Sequence, residues 1–158
     1  MSGSINVRYA YSDFRRDMTG PVLYAAVVDF GIPGHKFLKV GHSRELINRL
    51  ASIQTGCPVQ IGDVAYARLA SIDAACNAER LVHKAMAKHA SQGEWFKFDM
   101  GDPEHVRVWR GAIPAVLNHV AGKGGWALKS VNYAEIRAAM AEAKSERFAR
   151  LKKRRHRH

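Results

Sequence analysis

Apolar residues recur along this chain in two rhythms, one of strands and one of helices. Residues 22–30 (VLYAAVVDF) are β-branched and aromatic-rich, Gly31-Ile32-Pro33-Gly34 carries turn chemistry, and His35 to Gly41 (HKFLKVG) alternates, which predicts a β-hairpin. From Ser43, a candidate cap, Leu46, Ile47, Leu50 and Ile53 recur at helical spacing until Gly56-Cys57-Pro58. A third strand is expected around Val64 to Leu69. Asp73 then reads as the N-cap of a helix running to about His89, with Ala78, Leu81, Val82, Ala85 and Met86 as its apolar face. Gly93 breaks the pattern, and Glu94 to Phe98 is short, aromatic and strand-like. Asp102-Pro103 opens a helix to about Val120, Gly122-Lys123-Gly124-Gly125 reads as a flexible joint, and Asn132 or Tyr133 begins a last helix.

These elements predict an α+β (α/β) fold: a small, mainly antiparallel three-stranded sheet flanked by helices, with a helical C-terminal extension. The expected divisions are an N-terminal segment at 1–20, a central domain at 21–100, and an extension at 101–158. A length of 158 residues suits one folded unit with its own core, and 47% hydrophobic residues exclude a disordered chain. The longest apolar stretch, Pro21 to Val28, falls far short of the roughly 20 residues that a membrane span needs. Residues 1–20 lack the plan of a secretory signal, so the cytoplasm is the expected location. Cys57 and Cys76 lie far apart and form no C-x-x-C pair, so reduced, packed thiols are expected.

The net charge of +11 points to an anionic partner, but its distribution is uneven. From Lys144 to His158 eight Lys or Arg stand against Glu146 alone, so this stretch holds +7 of that charge. Lys152, Lys153, Arg154 and Arg155 are candidate nucleic-acid contacts, because each phosphate neutralised releases condensed counterions. A solvated helix end that only aids solubility stands as the alternative.

Within the predicted core, Val22-Leu23-Tyr24, Lys39-Val40-Gly41, Arg49 and Glu79 follow one another in order and spacing. This succession resembles the GIY-YIG nuclease superfamily. More narrowly, it is similar to the phage-associated branch in which the second motif reads K-x-G, a helix reads E-x-x-x-H (Glu79 to His83), and Glu-Trp-Phe follows (Glu94 to Phe96). The resemblance spans roughly Val22 to Phe98. It implies a metal-dependent endonuclease acting on DNA, with RNA left open. Glu79 would hold one divalent cation, Mg²⁺ or Mn²⁺, Arg49 would stabilise charge on phosphate oxygens, and Tyr24 would position or deprotonate water. Lys39 stands where the superfamily name implies a second tyrosine, so the general base is open. His42 and His83 are candidates because imidazole titrates near neutrality, and Lys39 could contact phosphate or act as a base if buried. The alternative function is a non-catalytic nucleic-acid-binding module on the same scaffold. The sequence leaves the oligomeric state undetermined.

Helical geometry adds a reading that does not use the family. At 100° per residue, Arg49 lies about 60° from Leu46, beside the apolar stripe, whereas Arg44 points to water. With Ala78 at zero, Glu79 falls at about 100° and His83 at about 140°, both on the border of the stripe.

Overall fold

The structure is a computed structural model and describes residues 10–157. The first nine residues, part of the expected N-terminal segment, and His158, the end of the expected basic tail, lie outside the described residues. The elements in chain order are α1 (Tyr11–Met18), β1 (Thr19–Val28), β2 (His35–Glu45), α2 (Leu46–Thr55), β3 (Asp63–Arg68), α3 (Ile72–Ala85), β4 (Trp95–Asp99), α4 (Pro103–Ala121), β5 (Lys129–Asn132) and α5 (Tyr133–His156). The α+β class is as expected, but the sheet has five strands rather than three, in the order β4-β2-β1-β3-β5 with every neighbour antiparallel.

The two additional strands are edges. The aromatic segment after Gly93 is a full strand, β4, paired with β2 from His35 opposite Asp99 to Lys39 opposite Trp95. β5 has only four residues (KSVN), two of them exposed, and carries no alternation by which a pattern could announce it. It pairs with β3 from Asp63 opposite Asn132 to Tyr66 opposite Lys129.

The hairpin forms between β1 and β2, and its turn is closed by the Gly31 amide donating to the Asp29 carboxylate at 2.8 Å. Gly31 and Gly34 adopt φ of 82° and 75°, where a side chain would be strained. Two helix starts differ from expectation. Ser43 belongs to β2, where its hydroxyl accepts from the Glu45 amide, and α2 begins three residues later at Leu46. The cap of α3 is Ser71, accepting from the Ala74 amide at 3.1 Å, while Asp73 sits in the first turn, where its charge suits the helix dipole. Asp102 and Asn132 cap α4 and α5 as the sequence implies.

Alternation along β1 sends Val22, Tyr24, Ala26 and Val28 to one face, where α1, α2 and α5 cover them with Met18, Leu46, Leu50 and Ile136. Leu23 and Ala25 go to the other face, under α3 and α4, with Leu38, Val40, Ala78, Val82, Phe96 and Leu117. These residues are at most 5% exposed, so the hairpin is packed on both faces. Among the described residues, no helix is long and apolar enough to cross a membrane.

Candidate active site

Tyr24 occupies the middle of β1, opposite Gly41 on β2 and Tyr66 on β3. It is 1% exposed and its ring lies over Gly41: a Cβ there would come within 2.7 Å of Tyr24 Cζ. The glycine of the K-V-G motif is therefore required for space rather than for an unusual φ. From α2, Arg49 reaches over the strand and donates its Nε–H to the Tyr24 hydroxyl at 3.1 Å. Burial pushes the Tyr24 phenol up, against the lowering effect of the Arg49 hydrogen bond and charge; the charges of Glu79 and Glu94 push it further up. Tyr24 is thus a neutral phenol at pH 7. Its oxygen accepts from Arg49.

His42 is opposite Leu23, one position out of phase with Tyr24, so it lies on the α3 face of the hairpin. There its Nδ1 is 2.6 Å from Glu79 Oε2. An ionised carboxylate only accepts, so Nδ1 is the donor of this contact, and in the neutral form of the ring that leaves Nε2 as an acceptor. His83, one turn after Glu79, donates Nε2–H to the Val40 carbonyl at 2.8 Å and lies 3.9 Å from Glu79 Oε1. It ties α3 to β2 and rests edge-on against Phe96. Glu79, His42 and His83 are all partly exposed, as the border position of Glu79 and His83 on the helix implies.

Lys39 is largely buried, pinned by an ion pair to Glu94 at 3.1 Å and set over the Trp95 ring at 5.6 Å. The Lys39 ammonium holds the Glu94 carboxyl below its usual range. Lys39 and Arg49 both line a cleft of about 230 Å³, walled by Phe30, Ile53, Cys57 and Trp95. Phe96 is core, whereas Trp95 is half-buried with its ring edge-on to Phe30.

The predicted residues thus come together as two groups. Tyr24, Arg49 and Lys39 are on one face of the β1–β2 hairpin; Glu79, His42 and His83 are on the other. The two groups meet at consecutive residues of β2: Tyr24 lies over Gly41, and the next residue, His42, holds Glu79. Lys152, Lys153, Arg154 and Arg155 do not join them. They are exposed on the last turns of α5, about 22 Å along the helix axis beyond Ala139, the last buried residue of that helix.

Sequence reasoning missed one neighbour of the cluster. Cys76, expected to be packed, is exposed, and its sulfur lies within 4.8 Å of ligand atoms of His42 and Glu79. The signal was present in the helical wheel, where Cys76 falls at about 160°, between the border that holds Glu79 and His83 and open solvent. Cys57 is half-buried beside the cleft.

The chain belongs to the T5orf172 domain family, which matches residues 23–113, from the second residue of the Val22-Leu23-Tyr24 motif to the middle of α4. That domain is compatible with a nuclease-like or nucleic-acid-binding module. The match leaves α1, β5 and α5 outside it. No curated protein and no solved structure matches the chain.

Proposed function

We propose that this protein is a metal-dependent endonuclease of the GIY-YIG type that hydrolyses phosphodiester bonds of DNA. The observation that carries the reading is that Tyr24, hydrogen-bonded to Arg49, lies over Gly41 while the next residue, His42, holds Glu79. It puts a permanent cation, a neutral phenol and a carboxylate around one stretch of hairpin. Among the described residues Arg49 hydrogen-bonds through Nε alone, to Tyr24, which leaves its terminal nitrogens to grip two phosphate oxygens and to offset the charge that builds on them in the transition state. The Tyr24 hydroxyl, held by Arg49 and kept protonated by burial, donates to a phosphate oxygen or orients the attacking water.

His42 is the general base in this reading. Its Nδ1 proton is fixed on Glu79, so its Nε2 lone pair is held in one orientation and takes a proton from water. His83 is the poorer candidate because its Nε2 is committed to Val40; Lys39 is excluded as a base by its ion pair and serves as a phosphate contact. The donor set suits a hard divalent cation, Mg²⁺ or Mn²⁺, which needs one carboxylate and otherwise waters and phosphate; Glu79, with Oε2 on His42 and Oε1 no closer than 3.9 Å to His83, would hold it. When bound, the cation neutralises the departing oxygen. Lys152 to Arg155 add sequence-independent affinity for DNA.

Full-length protein with Mg²⁺ or Mn²⁺ should nick a supercoiled plasmid. Arg49→Ala and Glu79→Ala should each lower the rate at least about a hundredfold while leaving the circular dichroism spectrum in place. Nicking that survives both changes rules out this centre. A second reading, a non-catalytic DNA-binding module, is favoured by the pinned Lys39 where a free phenol would otherwise stand. Salt-sensitive DNA binding without cleavage in any divalent metal would select it.

A further inference from the structure

We propose that Cys76, His42 and Glu79 form a binding site for a transition-metal cation of the Zn²⁺ class, and that its occupancy switches the nuclease centre off. The three donors come from two elements. Cys76 and Glu79 are three residues apart on one face of α3, and His42 projects from β2 toward them. One atom from each, a thiol sulfur, an imidazole nitrogen and a carboxylate oxygen, lies within 4.8 Å of the others.

The chemistry of this trio differs from that of the proposed Mg²⁺ ligand. Magnesium demands oxygen and gains nothing from sulfur, whereas Zn²⁺ takes thiolate, imidazole and carboxylate together and leaves a fourth position to water. With bonds of about 2.0–2.3 Å, a tetrahedral ion holds its ligand atoms roughly 3.3–3.6 Å apart. Cys76 is exposed and His42 and Glu79 are partly so, so rotation of these side chains by about 1 Å closes the set without moving backbone. On binding, the His42 proton moves from Nδ1 to Nε2 so that Nδ1 can ligate, and the Cys76 thiol releases its proton to solvent. Exposure of the sulfur provides the entry path, and oxidation of the thiol would abolish the site.

The regulatory half of this inference rests on the nuclease reading. The same carboxylate that would hold Mg²⁺ and the same imidazole that would take a proton from water are consumed by the Zn²⁺-class ion, so the two occupancies exclude each other. The metal site and the nuclease reading are separated by measuring binding without DNA.

Reduced, full-length protein is titrated with Co²⁺ alone, and the thiolate-to-cobalt charge-transfer absorption in the near ultraviolet is recorded, followed by displacement with Zn²⁺. The expected result is saturation at one ion per chain, with the band lost in Cys76→Ser and retained in Cys57→Ser. Zn²⁺ affinity should fall about tenfold or more in Cys76→Ser. Absence of the band in the unmodified protein, or its survival in Cys76→Ser, overturns the site. In the Mg²⁺ nicking assay, Zn²⁺ at one equivalent should suppress cleavage and a chelator selective for Zn²⁺ should restore it; undiminished nicking overturns the switch. No nicking in any metal, with the cobalt band intact, would sink the nuclease reading and the switch but leave the metal site standing.

Discussion

Adding a single methyl group at Gly41 perturbs the centre of the candidate site without touching any charged group. The Cβ introduced by Gly41→Ala would sit 2.7 Å from Tyr24 Cζ and 2.9 Å from Cε1, well inside van der Waals contact, and Tyr24 has no free space to retreat into at 1% exposure. Overpacking of this kind costs about 1–3 kcal/mol. Any displacement of the ring also weakens the Arg49–Tyr24 hydrogen bond, so about 2 kcal/mol is the expected loss for Gly41→Ala. In urea that lowers the unfolding midpoint by about 1 M, and in a thermal scan it lowers Tm by about 4–8 °C. Gly111 supplies the control, because it lies exposed inside α4, where an added Cβ would have none of the described residues within 4 Å outside its own helix turn. There the same chemical change should stabilise by up to about 1 kcal/mol through helix propensity. Tyr24→Phe removes the hydroxyl, the atom closest to the added methyl, so the Gly41→Ala/Tyr24→Phe double variant should lose less stability than the sum of the single changes. A Gly41→Ala protein as stable as the original, or two strictly additive effects, would refute the close-approach account of this glycine.

Two other predictions concern the periphery of the molecule. His89 is buried against Phe98 and His105, and its Nδ1 has no hydrogen-bond partner among the described residues; burial first, then the charge of His105 and, more weakly, Lys88, push its pKa below 6.5, against Glu104 and Asp102. The folded state therefore keeps His89 neutral while the unfolded chain takes a proton at about 6.5, so its contribution is complete above that pH and is lost as pH falls from 6.5 toward the depressed folded value. The drop in Tm between pH 7.5 and 5.5 should be smaller in His89→Phe, and equal drops would remove His89 as the cause. Deleting residues 152–158 removes five Lys or Arg, so the slope of log K against log salt for duplex DNA should flatten by up to about 4.5. An unchanged slope would take the tail out of binding.

The hairpin and the main helices were legible because their apolar residues keep a period of 2 or 3.6 over many positions. α1 was not, since its sequence YSDFRRDM buries only Phe14 and Met18, and neither was β5, whose four residues follow a glycine-rich turn. For the candidate site, the helical wheel placed Glu79, His83 and Arg49 at the margins of buried stripes, and the structure keeps each there with a polar partner. What a wheel cannot give is the phase between strands. That Tyr24 pairs with Gly41 and Leu23 with His42 is a property of the ladder, and only the ladder assigns the imidazole to the α3 side. Cys76 escaped notice because a solitary thiol carries no spacing signal until β2 brings a histidine to it.

That phase relation makes Gly41-His42 a parity switch in the sequence. One residue inserted between them would carry His42 across to the Tyr24 layer and separate it from Glu79, although composition and every motif word would survive. Two inserted residues would restore the side but lengthen the strand by nearly 7 Å. Relatives that differ in length at this point must therefore rebuild the imidazole–carboxylate contact from some other position, whereas length changes in the Gly31–Gly34 turn leave it untouched.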